Sequence, residues 1–200
     1  MSQDTLEYYN KNATDFNNST FEVDFNKVQE WFCKYLKADS LILDFGCGSG
    51  RDTKYFLERG YRVDAIDGSK ELCEIASQNT GIVVKNQMFH ELIEVQKYDG
   101  IWACASILHL QYNELKEVLL KMSIALNDGG TIYCSFKYGD FEGVRNGRYF
   151  TDMTTEKLDR LFDEIGVLEF KNQTITTDVR PGRAEEKWIN VILGKRKRES

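Results

Sequence analysis

The apolar positions of the chain recur first at a helical spacing and then in short runs. Apolar residues at positions 25, 28, 32, 35 and 36 share one helix face, which predicts a helix in the N-terminal part. Short apolar runs of the kind that form buried strands lie at 41–45, 61–66, 82–84, 98–104 and 131–136. Helical patterns lie at 51–59, after Ser69, and at 113–127. The chain therefore alternates strands and helices up to residue 136.

The C-terminal part ends this alternation. After a stretch without clear periodicity, a helix capped by Thr154 or Thr155 is predicted to run as far as Gly166. Two adjacent strands follow, at about 167–175 and 188–193. This order predicts an α/β fold, a three-layer αβα sandwich around a seven-stranded, mostly parallel sheet with an antiparallel last strand.

Composition and charge narrow the class of protein. The 200 residues carry a net charge of −6, which argues against a general nucleic-acid-binding protein. The basic run 195–198 is a local exception, but short basic tails are more often solvated ends than binding elements. No apolar run is long enough to cross a bilayer, and the N-terminus does not resemble a secretory signal. We therefore expect a cytoplasmic protein without a membrane partner, with one domain over residues 1–200, a helical cap at 1–38 and a core at 39–200.

Cysteine and histidine usage indicates neither a disulfide framework nor a metal site. The five cysteines are widely spaced and form no C-x-x-C pair; they are Cys33, Cys47, Cys73, Cys104 and Cys134. Two histidines and scattered acids do not make a ligand set, so we expect no bound metal.

A glycine-rich turn, Asp44-Phe45-Gly46-Cys47-Gly48-Ser49-Gly50, follows the first strand. Glycines allow a sharp bend and a close ligand approach, and the helix after the turn offers unpaired N–H groups. The spacing is G-x-G-x-G, whereas dinucleotide-binding folds use G-x-G-x-x-G. Asp44 would repel a pyrophosphate and suits a ligand with an ammonium group. Asp67 ends the second strand, where its carboxylate can accept hydrogen bonds from both hydroxyls of a ribose.

These residues resemble the cofactor signature of class I S-adenosylmethionine-dependent methyltransferases. The resemblance continues at 61–67, 98–103 and 126–130, and it is strongest toward small bacterial methyltransferases described as tellurite-resistance-like. It implies a Rossmann-like methyltransferase fold, with S-adenosylmethionine as cofactor and S-adenosylhomocysteine as product. The positions that it implies for cofactor binding are Asp44, Phe45, Gly46, Cys47, Gly48, Gly50, Asp67, Gly68, Gln87, Met88, Phe89, Ala105 and Ser106.

The resemblance also implies individual roles. In that family the position of Asp44 faces the methionine end of the cofactor, and the position of Asp67 binds the ribose. The segment Met88-Phe89 would hold the adenine, and the segment Ala105-Ser106 would line the methionine side. The chain departs from the family at Gln87, where many relatives have an aspartate that accepts a hydrogen bond from the adenine amino group. A glutamine oxygen can accept the same bond.

The acceptor is expected among the loops that follow the strands, at 106–112, 137–152 and 176–186. Methyl transfer from a sulfonium depends on alignment, and it needs a base only when the acceptor arrives protonated. His109 lies in the first of these loops and can titrate near neutrality, so it is the candidate catalytic residue. The alternative is that His109 only precedes the following helix and is hydrogen-bonded to the backbone.

The other two loops are rich in cationic and aromatic side chains. Candidate acceptor-binding residues there are Lys137, Tyr138, Arg148, Arg180 and Arg183. Arginine forks suit carboxylates and phosphates, which indicates an anionic or mixed-charge acceptor. The alternative is ordinary ion pairing with the acids at 140, 142, 152, 178, 185 and 186.

Three functions remain open at this point. The first is methyl transfer to a small-molecule acceptor. The second is methylation of RNA or protein with help from the basic run 195–198, although nucleic acid is not an expected partner. The third is binding of S-adenosylmethionine without transfer. The segment 8–13 resembles the leader of related enzymes that folds over the cofactor, so Tyr9 or Phe16 is a candidate for closing the site. The residues define neither the acceptor nor an oligomeric state.

Overall fold

The structure is a computed structural model that describes residues 1–180 and 182–196. Pro181, and Lys197 and Arg198 of the basic run, lie outside the described residues. No helix within the described ranges is long and apolar enough to cross a membrane. Within the same ranges, no group of three or more His, Cys, Asp or Glu side chains is placed to hold a metal ion.

Three helices precede the first strand, and strands and helices alternate after it. The helices are α1 (Gln3–Lys11), α2 (Ala13–Thr20), α3 (Asn26–Cys33), α4 (Arg51–Glu58), α5 (Lys70–Thr80), α6 (Tyr112–Ala125) and α7 (Thr155–Ile165). The strands are β1 (Leu41–Phe45), β2 (Arg62–Asp67), β3 (Lys85–Asn86), β4 (Tyr98–Ala103), β5 (Leu126–Lys137), β6 (Glu142–Arg145), β7 (Arg148–Thr151), β8 (Leu168–Thr177) and β9 (Lys187–Lys195). Short 3-10 turns lie at Phe89–Glu91 and Ile107–His109.

The main sheet has the strand order β3-β2-β1-β4-β5-β9-β8, and β6 and β7 form a separate antiparallel hairpin. Strands β1 to β5 run parallel, whereas β9 is antiparallel to both of its neighbours, β5 and β8. The predicted seven-stranded sheet with an antiparallel last strand is therefore confirmed. The strand order reverses between β1 and β4, so the loops after these strands border the crevice where such sheets bind ligands.

The two faces of the sheet carry separate cores, because alternate residues of a strand point to opposite faces. On one face, α3 and α4 cover Ile42, Trp102 and Tyr133, and the Trp102 and Tyr133 rings stack 3.9 Å apart. Phe32 of α3 is fully buried among them. On the other face, α6 and α7 cover a larger apolar cluster that includes Ile101. Helices on both faces form the predicted three layers.

Most strands lie within two residues of their predicted bounds, and two of them, β3 and β5, differ more. The apolar run 82–84 is not a strand, because α5 ends at Gly81 in a left-handed conformation and β3 begins only after the run. Val84 is the buried residue of this run. The run is therefore a connection that contributes one side chain to the core. Strand β5 begins at Leu126 instead of Thr131, since its first part pairs with β4 across a register shift.

The stretch without clear periodicity contains the β6–β7 hairpin. Asn146 and Gly147 form its turn with φ values of 51° and 75°. Two positive φ values are what a type I′ turn requires, and Asn-Gly is its preferred sequence. Arg145 and Arg148 face each other on either side of this turn.

Replacing Phe32 by alanine tests the core beneath α3. The ring is fully buried and lies 5.1 Å from the Trp102 ring and 5.8 Å from the Phe56 ring. We expect the free energy of unfolding to fall by about 3–5 kcal/mol, because the substitution removes buried surface and leaves a cavity. Urea denaturation measures the loss. Ile93→Ala, at a side chain that is 81% exposed, is the control and should change stability by less than about 0.5 kcal/mol. Equal losses in both variants would contradict the assignment.

Candidate active site

The turn after β1 is held against the ends of two neighbouring strands. The N–H groups of Gly46 and Cys47 both donate to the carbonyl of Ile66 in β2, at 2.9 and 3.0 Å. On the other side, the Ser106 hydroxyl donates to the Phe45 carbonyl at 2.6 Å. Gly46 has a φ of +86°, and a Cβ atom there would lie 2.5 Å from the Ser106 Cβ, so this approach requires glycine. The loops after β1, β2 and β4 therefore meet at one edge of the sheet.

A cavity of about 450 Å³ lies at this edge. The loops after β1, β2 and β4 form one wall, and α1, α2, the β6–β7 hairpin and the β8–β9 turn form the others. Small-molecule sites have volumes of roughly 300–1,000 Å³, so the cavity has the size of such a site.

Helices α1 and α2 cover the glycine turn. The Phe16 ring of α2 lies so close that a Cβ atom at Gly48 would be 2.9 Å from it. The hydroxyls of Thr20 and Ser49 are hydrogen-bonded at 3.2 Å, which ties the end of α2 to the turn. Tyr9 and Phe16, the candidates for closing the site, both line the cavity.

Asp67 lines the cavity at the end of β2. Its Oδ2 accepts the N–H of Gly48 at 2.9 Å, and its Oδ1 accepts the N–H of Ser69 at 2.8 Å. Burial raises the pKa of Asp67, and these backbone N–H groups oppose the shift. A carboxylate has roughly four acceptor positions, so Asp67 keeps acceptor capacity for the hydroxyls of a ligand.

Asp44 lies behind the cavity wall and belongs to a buried acidic pair. Its carboxylate accepts the Thr53 hydroxyl at 2.6 Å. Burial and the charge of Asp52 raise the pKa of Asp44 to about 8. Asp52 lines the cavity. Burial would raise the pKa of Asp52 too, but a bidentate Arg51 and the Trp102 indole N–H outweigh it and lower the pKa. The pair therefore holds its negative charge on Asp52.

His109 and Tyr9 form a hydrogen-bonded pair in the cavity wall. The His109 Nδ1 lies 2.6 Å from the Tyr149 carbonyl, and because a carbonyl only accepts, Nδ1 carries the proton. The His109 Nε2 is then the acceptor for the Tyr9 hydroxyl, at 2.8 Å. Both imidazole nitrogens are therefore engaged in hydrogen bonds within the protein.

The surroundings of this pair keep both members neutral. The pKa of His109 falls to about 4, because burial penalises the imidazolium and because Arg148, the N-terminal ammonium and Arg145 repel it. The hydrogen bond to the Tyr149 carbonyl opposes this shift. Burial also raises the pKa of Tyr9, although the nearby Arg148 acts in the other direction. At neutral pH the pair is therefore a phenol donor and an imidazole acceptor.

Several cations of the cavity wall are paired with carboxylates. Lys137 pairs with Glu186, and the Arg183 guanidinium lies 3.8 Å from the same carboxylate. Arg180 donates two bonds to Asp178, at 2.9 and 2.5 Å. Burial would raise the pKa of Asp178, but Arg180 lowers it to about 2. Ordinary ion pairing, the alternative to an anion site, therefore describes these three cations.

The two arginines of the β6–β7 hairpin differ from each other. Arg145 donates to both oxygens of Asp152, at 2.9 and 2.6 Å. Arg148 also lines the cavity, and within residues 1–180 and 182–196 no carboxylate pairs with it. Its Nη1 donates a long hydrogen bond of 3.4 Å to the Tyr9 hydroxyl. Arg148 is therefore the predicted acceptor-binding cation that ion pairing does not explain.

The structure brings most of the predicted site residues together around one space. The predicted cofactor residues in the cavity wall are Gly46, Cys47, Gly48, Asp67, Gly68, Phe89, Ala105 and Ser106. The candidate catalytic and acceptor residues in the wall are His109, Lys137, Arg148, Arg180 and Arg183. Their individual roles stay predictions.

The remaining predicted residues lie outside the wall; they are Asp44, Phe45, Gly50, Gln87, Met88 and Tyr138. The Phe45 ring is in the core, 4.7 Å from the Phe89 ring. Gly50 packs against α5, and the Gln87 amide donates to the Glu91 carbonyl at 3.1 Å. The Tyr138 ring is 40% exposed.

Two parts of the site have no signal in the sequence. The network of Arg51, Asp52 and Trp102, which Gln29 joins by a 2.6 Å bond to Asp52, uses ordinary helix and strand positions. The contact between Tyr9 and His109 joins residues 100 positions apart, so no local pattern predicts it.

Comparison with known proteins finds similarity in the central region. Residues 42–130 match the family model of a methyltransferase domain. An uncharacterised methyltransferase of Geobacillus thermodenitrificans is 29% identical over 113 residues, which cover 54% of this chain and 53% of the relative. The chain thus spans about half the length of this curated relative.

Two solved structures share the fold over nearly the whole chain. The first is 1,6-didemethyltoxoflavin-N1-methyltransferase of Burkholderia thailandensis, solved with 1,6-didemethyltoxoflavin and S-adenosylhomocysteine. Its TM-score is 0.80 at 20% identity, with 97% of this chain and 88% of that chain covered. The second is a TehB-like S-adenosylmethionine-dependent methyltransferase of Corynebacterium glutamicum, with a TM-score of 0.70 at 17% identity, covering 96% and 98%.

The chain therefore has the Rossmann-like fold of the class I S-adenosylmethionine-dependent methyltransferases. The fold that the sequence resemblance implied is confirmed, and residues 42–130 match the family model of a methyltransferase domain.

The low pKa of His109 should make the protein less stable in acid. The unfolded chain takes up this proton near pH 6.5, whereas the folded protein does so only near pH 4. Stability is therefore lost as the pH falls through this window. The total loss is about 3 kcal/mol, since one unit of pKa corresponds to about 1.4 kcal/mol. Urea denaturation at several pH values across the window measures it.

Matched histidine variants isolate this contribution. His109→Gln should lower stability at neutral pH and remove the acid-dependent part of the loss. His90→Gln, at an exposed histidine, should follow the wild-type curve. Parallel pH curves for the wild type and His109→Gln would contradict the buried neutral imidazole.

Proposed function

We propose that this chain is an S-adenosylmethionine-dependent methyltransferase whose acceptor is a small molecule. The observation that carries the proposal is a single cavity lined both by the cofactor signature and by the cationic and aromatic side chains of the acceptor loops. The wall is acidic at Asp67, the Asp52 carboxylate there is paired with Arg51, and the wall is cationic at the β6–β7 hairpin. A cofactor with sulfonium and ammonium groups suits the acidic end, where opposite charges attract.

The residues present fit this cofactor. Asp67 can accept hydrogen bonds from both ribose hydroxyls, and Phe89 offers an apolar ring to the adenine. Glycines at 46, 48 and 68 line the cavity with backbone atoms alone, because glycine has no side chain. The bound cofactor supplies an activated methyl group on its sulfonium sulfur.

The size and the enclosure of the cavity support a small acceptor. Its volume is about 450 Å³, and α1, α2 and the hairpin contribute walls that cover the cofactor loops. The Burkholderia neighbour is named for methyl transfer to 1,6-didemethyltoxoflavin, which is a small molecule. Both observations favour a metabolite over a strand of RNA or a protein chain.

The side chains of the cavity can align the acceptor and take up its proton. Alignment of the reacting atoms supplies a large part of the rate acceleration. The reacting atom of the methyl acceptor can donate a hydrogen bond to the Tyr9 oxygen. Its proton can then move to Tyr9 while the Tyr9 proton passes to the His109 Nε2. The His109 Nδ1 keeps its own proton on the Tyr149 carbonyl, so the imidazole becomes an imidazolium. This assigns the predicted catalytic role of His109 to a relay through Tyr9.

Transfer of label from methyl-labelled S-adenosylmethionine into a native cell extract tests the function. The products are separated into small-molecule, RNA and protein fractions. We expect label in the small-molecule fraction, and its loss with Asp67→Ala. This variant should bind S-adenosylhomocysteine at least about tenfold more weakly in calorimetry, because the acceptor for the ribose hydroxyls is gone.

Asp64→Ala is the matched control for Asp67→Ala. Asp64 lies in the same strand and pairs with Lys97 at 2.7 Å, away from the cavity wall. It should keep both the affinity and the transfer. Label in RNA or protein would contradict the small-molecule acceptor. Cofactor binding without label in any fraction would favour a sensor of the cofactor, and unchanged affinity in Asp67→Ala would contradict the ribose assignment.

Tyr9→Phe tests the proton relay. The variant keeps the ring but loses the hydroxyl that is hydrogen-bonded to His109. The rate of methyl transfer into the small-molecule fraction should therefore fall about 100-fold or more. Its affinity for S-adenosylhomocysteine should stay unchanged. Tyr112→Phe is the control, since this hydroxyl donates to Glu164 at 3.3 Å, away from the cavity wall. Wild-type turnover in Tyr9→Phe would exclude the relay.

A further inference from the structure

The β6–β7 hairpin carries two arginines directly opposite each other beside the cavity. Arg145 and Arg148 are partners in the strand register, and both line the cavity. Like charges directly opposite each other on two strands repel, so the arrangement needs counter-charges. Arg145 has one, because the buried Asp152 accepts two bonds from its guanidinium.

Arg148 has no counter-charge among the residues that the structure describes. Its Nε is buried and donates no hydrogen bond in this part of the chain. Its Nη1 donates one long bond, of 3.4 Å, to Tyr9. A guanidinium offers a planar fork of N–H donors, and most of this fork is unused by the described residues.

Aromatic rings fix the orientation of this fork. The Arg148 guanidinium carbon lies 4.5 Å from the centre of the Tyr8 ring and 5.2 Å from that of Phe150. Aromatic rings pack against the plane of a guanidinium, whereas its N–H groups lie in that plane. The N–H groups therefore stay available for hydrogen bonds. Such an edge matches the two oxygens of a carboxylate.

The other arginines of the cavity wall are already paired. Arg51, Arg180 and Arg183 each have a carboxylate partner within 4 Å. A partly buried cation without a counter-charge is costly, and a bound anion reduces this cost. Within the described ranges, Arg148 is the arginine of the wall that the fold leaves for a ligand.

We propose that the acceptor is an anion, a small molecule whose carboxylate or comparable planar oxyanion binds the Arg148 guanidinium and whose reacting atom lies beside the Tyr9 hydroxyl. This inference rests on the proposed function, to which it adds the charge of the acceptor and the residue that binds it.

An anionic acceptor suits the charge change of methyl transfer. The reacting atom forms a bond to the methyl carbon, the electron pair of the carbon–sulfur bond moves to sulfur, and the sulfonium becomes a neutral thioether. The acceptor proton passes to Tyr9 as the Tyr9 proton passes to His109. A sulfonium and an anion attract each other strongly in a cavity of low dielectric constant. The anion also offsets the charge of Arg148, which repels an imidazolium at His109.

Benzoate and benzamide are probes that differ in charge but hardly in shape. Each is titrated by calorimetry into the protein saturated with S-adenosylhomocysteine. We expect benzoate to bind at least about tenfold more tightly than benzamide, because only benzoate is an anion. Arg148→Gln should weaken benzoate by about tenfold or more and leave benzamide unchanged. Equal binding of the two probes to the wild type, or equal benzoate affinity in both proteins, would overturn the proposal.

Arg160→Gln is the matched control, since Arg160 is an exposed arginine of α7 that does not line the cavity. It should bind benzoate as the wild type does, and a loss equal to that of Arg148→Gln would overturn the assignment to Arg148. A second readout needs no variant. Benzoate, but not benzamide, should raise the pKa of His109 in an NMR titration by roughly half a unit or more. An unchanged pKa would also overturn the proposal.

The failure of this inference can be told from failure of the proposed function. Binding of S-adenosylhomocysteine in the same calorimetric series, and label in the small-molecule fraction, test the function alone. If the protein binds S-adenosylhomocysteine and labels the small-molecule fraction, the function stands. The inference is then refuted if an anion exchanger does not retain the acceptor at neutral pH.

Discussion

The close approach of Gly46 to Ser106 is the constraint on which the site depends. The missing side chain lets β1 and β4 end side by side, with the Ser106 hydroxyl on the Phe45 carbonyl and the Gly46 and Cys47 N–H groups on Ile66. This junction lies where the strand order reverses, so it sets the position of the cavity. Asp67 on one side and the 3-10 turn with His109 on the other take their places from it. Any side chain at position 46 would separate these loops and disturb both halves of the site.

The cavity wall carries charges of both signs. Its charged side chains include Asp52 of α4, Asp67 at the end of β2, and cations of the hairpin and of the β8–β9 turn. Most of these charges are compensated within the protein, by pairs such as Arg51 with Asp52 and Arg145 with Asp152. Internal pairs fix the geometry of the wall, whereas Asp67 and Arg148 keep hydrogen-bonding capacity for a ligand. The Tyr9–His109 pair lies in the same wall and carries no charge of its own at neutral pH.

The sequence predicts the sheet and the cofactor loops well, because those features are local. Apolar runs identify β1, β2 and β4, and the glycine spacing identifies the turn at residues 46–50. The run 82–84 fails as a strand, since apolarity alone does not distinguish a strand from a connection with one buried residue. The β6–β7 hairpin did carry a signal in Asn146–Gly147, although weak alternation around it hid the strands. The Tyr9–His109 hydrogen bond, and the lack of a carboxylate partner for Arg148 among the described residues, could not be predicted, because they depend on contacts between distant segments.

The β6–β7 hairpin has a further consequence for how such a protein changes over time. It forms a sheet of its own and meets the main sheet through a bridge between Tyr138 and Met153. Its turn depends on Asn146 and Gly147, but its strands contribute no partner to the seven-stranded sheet. Substitutions at Arg145, Asn146 and Arg148 can therefore change this part of the cavity wall while the main sheet keeps its pairing. The end of the hairpin has no such freedom, because Phe150 belongs to the main core and the Thr151 hydroxyl donates to the Leu110 carbonyl.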